Sequence, residues 1–297
     1  MTDGMQAEGG TEARERVLVG YDGSDGGHDA LESARVLAEA TGSGILVVHV
    51  QPYGPLPIPY EILDEEEAEQ VQPLFEEARR QLGDLDVETR AFGGGTPAGV
   101  ITDLAEREMI GTIVIGSAHR GPIGRTLIGS VADGLLHGAP CEVVVASKGY
   151  AAEEHGPFRT IAVAFDDTPE SRAALARAEE IALVCRATIV LYTVMDSPAT
   201  VPGPTGYSPA IPPDAGAIVT KAVKAVDERL AASGRALSGP PGSAIAGACE
   251  EAGADLLVAG SRGYGPLLRV LVGSVATQLA HRAPCPVMVV PRPEAET

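Results

Sequence analysis

The sequence predicts an α/β protein made of two tandem doubly wound domains, each on a parallel sheet of about five strands. Three observations carry that expectation. The chain repeats itself at one fixed offset; strand-length apolar runs alternate with segments of helical period; and those runs are apolar throughout instead of at every second residue. The last feature marks strands covered on both faces. A length of 297 residues with 44% apolar content suits two cored domains.

The repeat is the strongest of the three. Cys141 in HGAPCEVVVA and Cys285 in HRAPCPVMVV lie 144 residues apart. The same spacing relates Asp22 to Asp166, Val50 to Val194, Pro97 to Pro241, Gly116 to Gly260, and Gly129-Ser130 to Gly273-Ser274. A period this long means duplicated domains, since solenoid repeats run to ~20–50 residues. The expected layout is a disordered tail over 1–13, a first domain over 14–147, a hydrophilic linker over 148–157 and a second domain over 158–293.

Within the first domain, Val17–Tyr21 and Ile45–Val50 read as strands rich in β-branched residues. Between them, Ala30, Leu31, Ala34, Leu37 and Ala38 recur at helical spacing after a turn rich in Asp, Ser and Gly. The second domain repeats this as Ile161–Phe165, Ala173–Ala182 and Ala187–Val194. Later strands are expected at Thr112–Ile115 and Val143–Ala146, and at Leu256–Ala259 and Val287–Val290. Helices Gly99–Glu108 and Ala244–Glu251 precede the fourth strands. Pro52–Pro59 and Pro198–Pro213 read as Pro-rich loops. Asp64-Glu65-Glu66-Glu67 reads as an acidic first turn, which the helix dipole favours.

Charge narrows the functional classes. Lys and Arg total 22 against 41 Asp and Glu, for a formal net charge of -19, and three of the cations are lysines. Such a surface repels phosphate backbones and anionic lipid, so neither nucleic acid nor a membrane is the expected partner. No apolar run approaches the ~20 residues that span a bilayer. Four cysteines without CxxC spacing point to reduced thiols, and cytoplasmic location is the expectation.

The chemistry concentrates in one loop. After its fourth strand the second domain reads GSRGYGPLLRVLVGSVATQL. Gly260 ends the strand, Gly263 follows, and Gly273-Ser274 open a helix, with Ser274 placed to cap it. Glycines let backbone approach an anion, a helix start offers unpaired N–H groups, and Arg262 adds charge. In a doubly wound sheet this loop adjoins the end of the first strand, where Asp166 offers a carboxylate to a ribose or a base edge. A glycine-rich strand-to-helix loop also serves many α/β proteins only to turn the chain. Neither G-x-x-x-x-G-K-[ST] nor G-x-G-x-x-G occurs.

Gly260-x2-Gly263-x9-Gly273-Ser274, with Asp166 before it and APCPVMVV after it, resembles the universal stress protein family. The resemblance covers nearly the whole chain as two tandem copies. It implies a Rossmann-like, adenine nucleotide alpha hydrolase-like sheet of order 3-2-1-4-5 in each domain, pairing of domains through their last strands, and bound ATP with Mg²⁺. By that resemblance adenine lies near Asp166 and the backbone of Val194, and phosphates lie on Gly260, Arg262, Gly263, Gly273, Ser274 and Val275. The matching positions of the first domain are Asp22, Val50, Gly116, Ala118, Gly129, Ser130 and Val131. Each half departs once from the pattern. His119 stands where the second has Gly263, and Asp167 stands where the first has Gly23. Asp167 adds negative charge beside Asp166, which repels an anion unless Mg²⁺ accompanies it.

The remaining candidates read as structural. Cys141, Cys185, Cys249 and Cys285 sit in packing contexts. His137 and His281 end helices, where positive charge suits the carbonyl end. No His/Cys spacing suggests a metal, and no catalytic residue is assigned. The favoured reading is a regulatory protein, not an enzyme, whose ATP occupancy tunes conformation or the binding of a protein partner. The alternatives are a slow ATP hydrolase or another nucleotide-using enzyme of the same fold group, and a ligand-free scaffold. The two halves are expected to form a pseudo-twofold pair with their fifth strands adjacent and antiparallel. A homodimer of whole chains is the weaker option.

Overall fold

The computed structural model describes residues 16–52, 59–117, 129–195, 200–203, 206–209, 215–261 and 273–291. The first unit runs β1 (Arg16–Gly20), α1 (Asp25–Thr41), β2 (Gly44–Gln51), β3 (Glu61–Ile62), α2 (Glu65–Leu82), β4 (Val87–Gly93), α3 (Pro97–Arg107), β5 (Thr112–Gly116), α4 (Ser130–Leu136) and β6 (Glu142–Ala146). The second runs β7 (Thr160–Ala164), α5 (Pro169–Cys185), β8 (Thr188–Met195), β9 (Thr200–Gly203), β10 (Gly206–Pro209), α6 (Ala215–Ala225), β11 (Ala232–Ser238), α7 (Pro241–Ala252), β12 (Leu256–Gly260), α8 (Ser274–Arg282) and β13 (Val287–Val290).

The strands form one continuous 11-stranded sheet in the order β11-β8-β7-β12-β13-β6-β5-β1-β2-β4-β3. Within each unit the five main strands are parallel and follow the order 3-2-1-4-5. The units meet where β6 and β13 pair antiparallel, Val144 opposite Met288. Those two residues are each other's counterparts in the repeat, so a pseudo-twofold axis passes between them. The expected pairing of fifth strands is therefore present, and it converts two edge strands into the centre of the sheet.

Two apolar layers sandwich the sheet, and both cross the junction. One gathers the sheet-facing sides of α1, α2, α5 and α6 with Val144 and Met288; the other gathers α3, α4, α7 and α8 with Val143, Val145, Val287 and Val289. Adjacent residues of β6 and β13 thus serve opposite layers, as the period of two requires. All six are buried, at roughly 2 kcal/mol each relative to exposure. Arg177 on α5 adds an ion pair across the junction to Glu142 at the start of β6, 2.9 Å long and 14% exposed at each side chain.

Three expectations need correction. The sheet is not purely parallel: β3 adds a two-residue antiparallel strand to β4, and a β9–β10 hairpin lies within the Pro198–Pro213 stretch read as loop. Proline is tolerated there because the hairpin has only two strands and each is an edge. The segment over 148–157 is not a free hydrophilic linker. It makes a 3-10 turn at Tyr150–Ala152, and Asp29 of α1, 2% exposed, accepts from the N–H groups of Gly149 and Ala151 at 2.8 Å each. Arg35 donates to the His155 carbonyl at 2.6 Å, and the His155 ring stacks on Tyr150 with centroids 3.7 Å apart. A buried carboxylate needs such donors, and the strap supplies them. Finally, Pro97 and Pro241 open α3 and α7 two and three residues before the expected starts, because proline is suited to the first helical position.

Candidate functional site

The site is assembled where β7 and β12 end, at the point where the chain's crossovers diverge to opposite faces of the sheet. Phe165 follows β7, and Asp166 then makes a tight turn: its Oδ1 accepts from the Thr168 N–H at 3.2 Å and the Thr168 hydroxyl at 2.6 Å. Thr168 in turn caps α5 by accepting from the Ser171 N–H. Asp22, Ser24 and Gly27 build the same turn in the first unit, with Ser24 capping α1. The carboxylates of both turns sit at exposed positions with one oxygen engaged locally.

The residue after each aspartate is left-handed, at φ 74° for Gly23 and φ 64° for Asp167. Arg172 holds the Asp167 carboxylate at 2.8 Å, Lys221 of α6 stands 3.7 Å away, and Arg172 keeps the Asp167 carboxyl below its ordinary range. Asp167 does not line the cleft described below. The negative charge expected to confront an anion is instead turned outward and paired.

Gly260 closes β12 against α5. A Cβ there would lie 2.5 Å from the Glu170 carbonyl carbon and oxygen, and one on Gly116 would run into the Gly26 carbonyl. These two glycines are therefore required by strand-to-helix contact, independently of any ligand. Opposite, α8 begins after Gly273, whose extended backbone makes it the N-cap with no side-chain cap bond. The expected cap, Ser274, is instead the first helical residue and is exposed. Its hydroxyl is not used to cap the helix, and the first-turn amides have no intrahelical acceptor. Gly129 and Ser130 stand the same way at α4.

Between these parts lies a cleft of about 680 Å³. Ala164, Phe165, Tyr192, Val194, Ile245 and Ala259 give it apolar walls, while Asp166, Glu170, Gly273 and Ser274 supply polar groups. Six of the eight residues singled out in the second half line it: Asp166, Val194, Gly260, Gly273, Ser274 and Val275. Arg262 and Gly263 lie outside the described residues, as do Ala118 and His119. In the first unit Asp22 follows β1, Val50 lies in β2, Gly116 ends β5, and Gly129, Ser130 and Val131 open α4.

A model of the universal stress protein family matches the chain twice, over residues 13–147 and 157–291. The chain belongs to the universal stress protein family. A universal stress protein of Mycobacterium tuberculosis is 28% identical over 294 residues, spanning 92% of this chain and 96% of its own. One of Thermus aquaticus is 33% identical over 143 residues, 43% of this chain and 96% of that protein. The crystal structure of a universal stress protein from Archaeoglobus fulgidus superposes with a TM-score of 0.72 at 20% identity, covering 95% of this chain and all 100% of that one. These matches agree with the tandem organisation and with the fold.

Sequence reasoning missed several lining residues of this universal stress protein. Tyr192, 1% exposed, donates to the Ala248 carbonyl at 2.9 Å and so fixes β8 to α7 beneath the cleft. Thr168 and Ser171 make the cap of α5, and nothing local says that this helix start also lines a cavity. Pro241 and Gln278 arrive from separate helices. The cysteines occupy packing positions: burial raises the Cys141 thiol to about 12, and Cys285 is raised by a hydrogen bond with Cys249 and by burial. His137 accepts its expected place, with Nδ1 2.8 Å from the Asp133 carbonyl. Among the described residues no helix is long and apolar enough to cross a membrane.

Proposed function

We propose that this universal stress protein is a regulatory binder of ATP with Mg²⁺, and that the cleft of the second unit is its main site. The observation that carries this reading is the convergence of Asp166, Val194, Gly260, Gly273, Ser274 and Val275, from four separate stretches of chain, on one cleft. The apolar walls suit a purine, which loses little on leaving water. Asp166 keeps a carboxylate oxygen for a ribose hydroxyl or a base N–H, and the Val194 backbone is the second adenine contact. At the other end, the α8 amides and the Ser274 hydroxyl suit phosphate, because the helix start concentrates donors and partial positive charge. Arg262 and Gly263 are assigned to the phosphates as well. Asp22, Val50, Gly116, Ala118, Gly129, Ser130 and Val131 form the corresponding site of the first unit.

The role is regulatory in this reading, not catalytic: the described lining has no histidine or lysine to activate its hydroxyls as nucleophiles. Occupancy acts on conformation and on the binding of a protein partner, and the shared sheet gives the two sites one rigid frame. Native mass spectrometry of the full chain, with calorimetric titration of ATP in Mg²⁺, tests the proposal. Bound adenine nucleotide, or saturable binding of ATP weakened about 10–100-fold by Gly263→His, is the expected result, as for loss of a phosphate contact. No binding at millimolar ATP overturns it.

A further inference from the structure

We propose that Cys249 and Cys285 form a dithiol oxidation site, which hydrogen peroxide converts to a disulfide that staples α7 to the start of β13. The inference stands apart from the nucleotide reading and needs no ligand in the cleft.

Cys249 lies in the last turn of α7, and Cys285 comes two residues before β13. The path of the chain brings them together. Helix α7 ends at left-handed Gly253, the Ala254 N–H donates back to the Cys249 carbonyl at 3.0 Å, and β12 follows at once. Leu257 of β12 is level with Val287 of β13, which sets Asp255, six residues after Cys249, beside Cys285. The two thiols share a hydrogen bond. Both side chains are buried in the apolar layer of α7 and α8, Cys249 at 0% and Cys285 at 5% exposure. The repeat supplies a comparison. The counterpart of Cys285 is Cys141, but the counterpart of Cys249 is Ala105. Packing asks only for a small residue at each place, as Ala105 shows, and does not call for two sulfurs in contact.

Thiols in contact suit a stepwise two-electron oxidation. One sulfur, as thiolate, attacks the peroxide: an S–O bond forms, the O–O bond breaks, and the departing hydroxide takes up the released thiol proton as water. The second thiol then attacks the sulfenic sulfur. The S–S bond forms, the S–O bond breaks, and the hydroxide leaves with the second thiol proton as another water. Two thiols are oxidised and one peroxide is reduced to two waters. The hydrogen bond with Cys249 and burial hold the Cys285 thiol well above its ordinary range, so the first step is slow and mild oxidants leave the pair reduced. The second step is fast, because the partner sulfur is already in place. Hydrogen peroxide is small and uncharged, and Cys285 adjoins exposed Pro284 at the rim of the core. Helix α7 also contributes Pro241 and Ile245 to the cleft, so the staple anchors one of its walls.

Peptide mapping of the full chain tests the inference. Reduced protein is treated with hydrogen peroxide in native buffer, the oxidant is removed, and the remaining thiols are alkylated in denaturant. Trypsin separates the two cysteines at Arg262, Arg269 and Arg282. The expected product has lost two hydrogens and carries two alkylated cysteines where untreated protein carries four. It yields one linked pair of peptides, containing Cys249 and Cys285, and dithiothreitol restores all four thiols. Cys249→Ala, which copies the first unit, should lose the linked pair while Cys141 and Cys185 react as before. The wild-type map decides the question whether or not that variant folds. Four alkylated cysteines after treatment overturn the proposal. So do over-oxidation of Cys249 or Cys285 without a link, and a link that engages Cys141 or Cys185 instead.

Discussion

The two halves are the same fold carrying different surface chemistry, and α1 and α5 show where they diverged. Both helices start from an Asp turn, are capped by a hydroxyl, and pack against the strand that ends in Gly116 or Gly260. On α1, Asp29, Glu32 and Arg35 grip the strap that follows β6. On α5 the counterparts are Ala173, Ala176 and Glu179, and α5 instead sends Arg177 across the junction to Glu142. What both halves keep is backbone geometry and core. What each owns alone is polar, and it ties the halves together. Duplication thus preserved the requirements of one domain and freed the remaining positions to make a single molecule from two.

The left-handed positions repeat the lesson in miniature. Met109, Asp167 and Arg186 are the non-glycine residues with positive φ among those described, and their counterparts Gly253, Gly23 and Gly42 have positive φ as well. The backbone shape was retained after the side chain changed, at roughly 1 kcal/mol each.

The shared parts should be the costliest to alter. Val289→Pro removes a ladder hydrogen bond between β13 and β6 beside the pseudo-twofold axis and orphans a buried carbonyl, so urea denaturation should show a loss of about 3 kcal/mol or more. Val145→Pro, at the counterpart position, should behave alike, and if either is tolerated within about 1 kcal/mol, the junction does not hold the halves together as described. Next come the strand-end glycines. Gly116→Ala and Gly260→Ala should each destabilise by about 1–3 kcal/mol through overpacking, with Gly116 the worse because its neighbour is closer. A reversed order would break the correspondence of the two contacts.

The parts owned by one half should cost less. Asp29→Ala leaves the strap amides without their acceptor, for about 2 kcal/mol, and should speed proteolysis between 148 and 157. Cleavage at the wild-type rate would show that the strap is held by something else. Arg177→Met should cost about 1–2 kcal/mol and resist screening by salt, since both partners are largely buried. The smallest effect runs the other way. Met109→Gly, which copies the second half, should stabilise by about 0.5 kcal/mol in thermal melts, because relief of the left-handed strain outweighs the added freedom of the unfolded chain.

Sequence alone placed four of the five main strands of each unit, most of the helices and the duplication, and together with the family resemblance it gave the antiparallel meeting of the fifth strands. Those features come from local periodicity and from the need to cover an apolar edge, and both are written in neighbouring residues. It also named Asp166, Gly260, Gly273 and Ser274, because strand ends and helix starts have recognisable signatures, and the family resemblance added Val194 and Val275; the fold brings all six to one cleft. Tertiary structure decided the rest. Asp29 meets Gly149 across 120 residues, and no local pattern marks a carboxylate on a helix as the anchor of a distant strap. Asp167 reads as a charge beside the site until Arg172 and Lys221 turn it away. Gly260 reads as room for phosphate, yet it is fixed by the backbone of α5. The physical reason is common to all three. Periodicity and capping are properties of a segment with itself, whereas the partner of a polar group and the space beside a glycine depend on which other segment the fold sets against it.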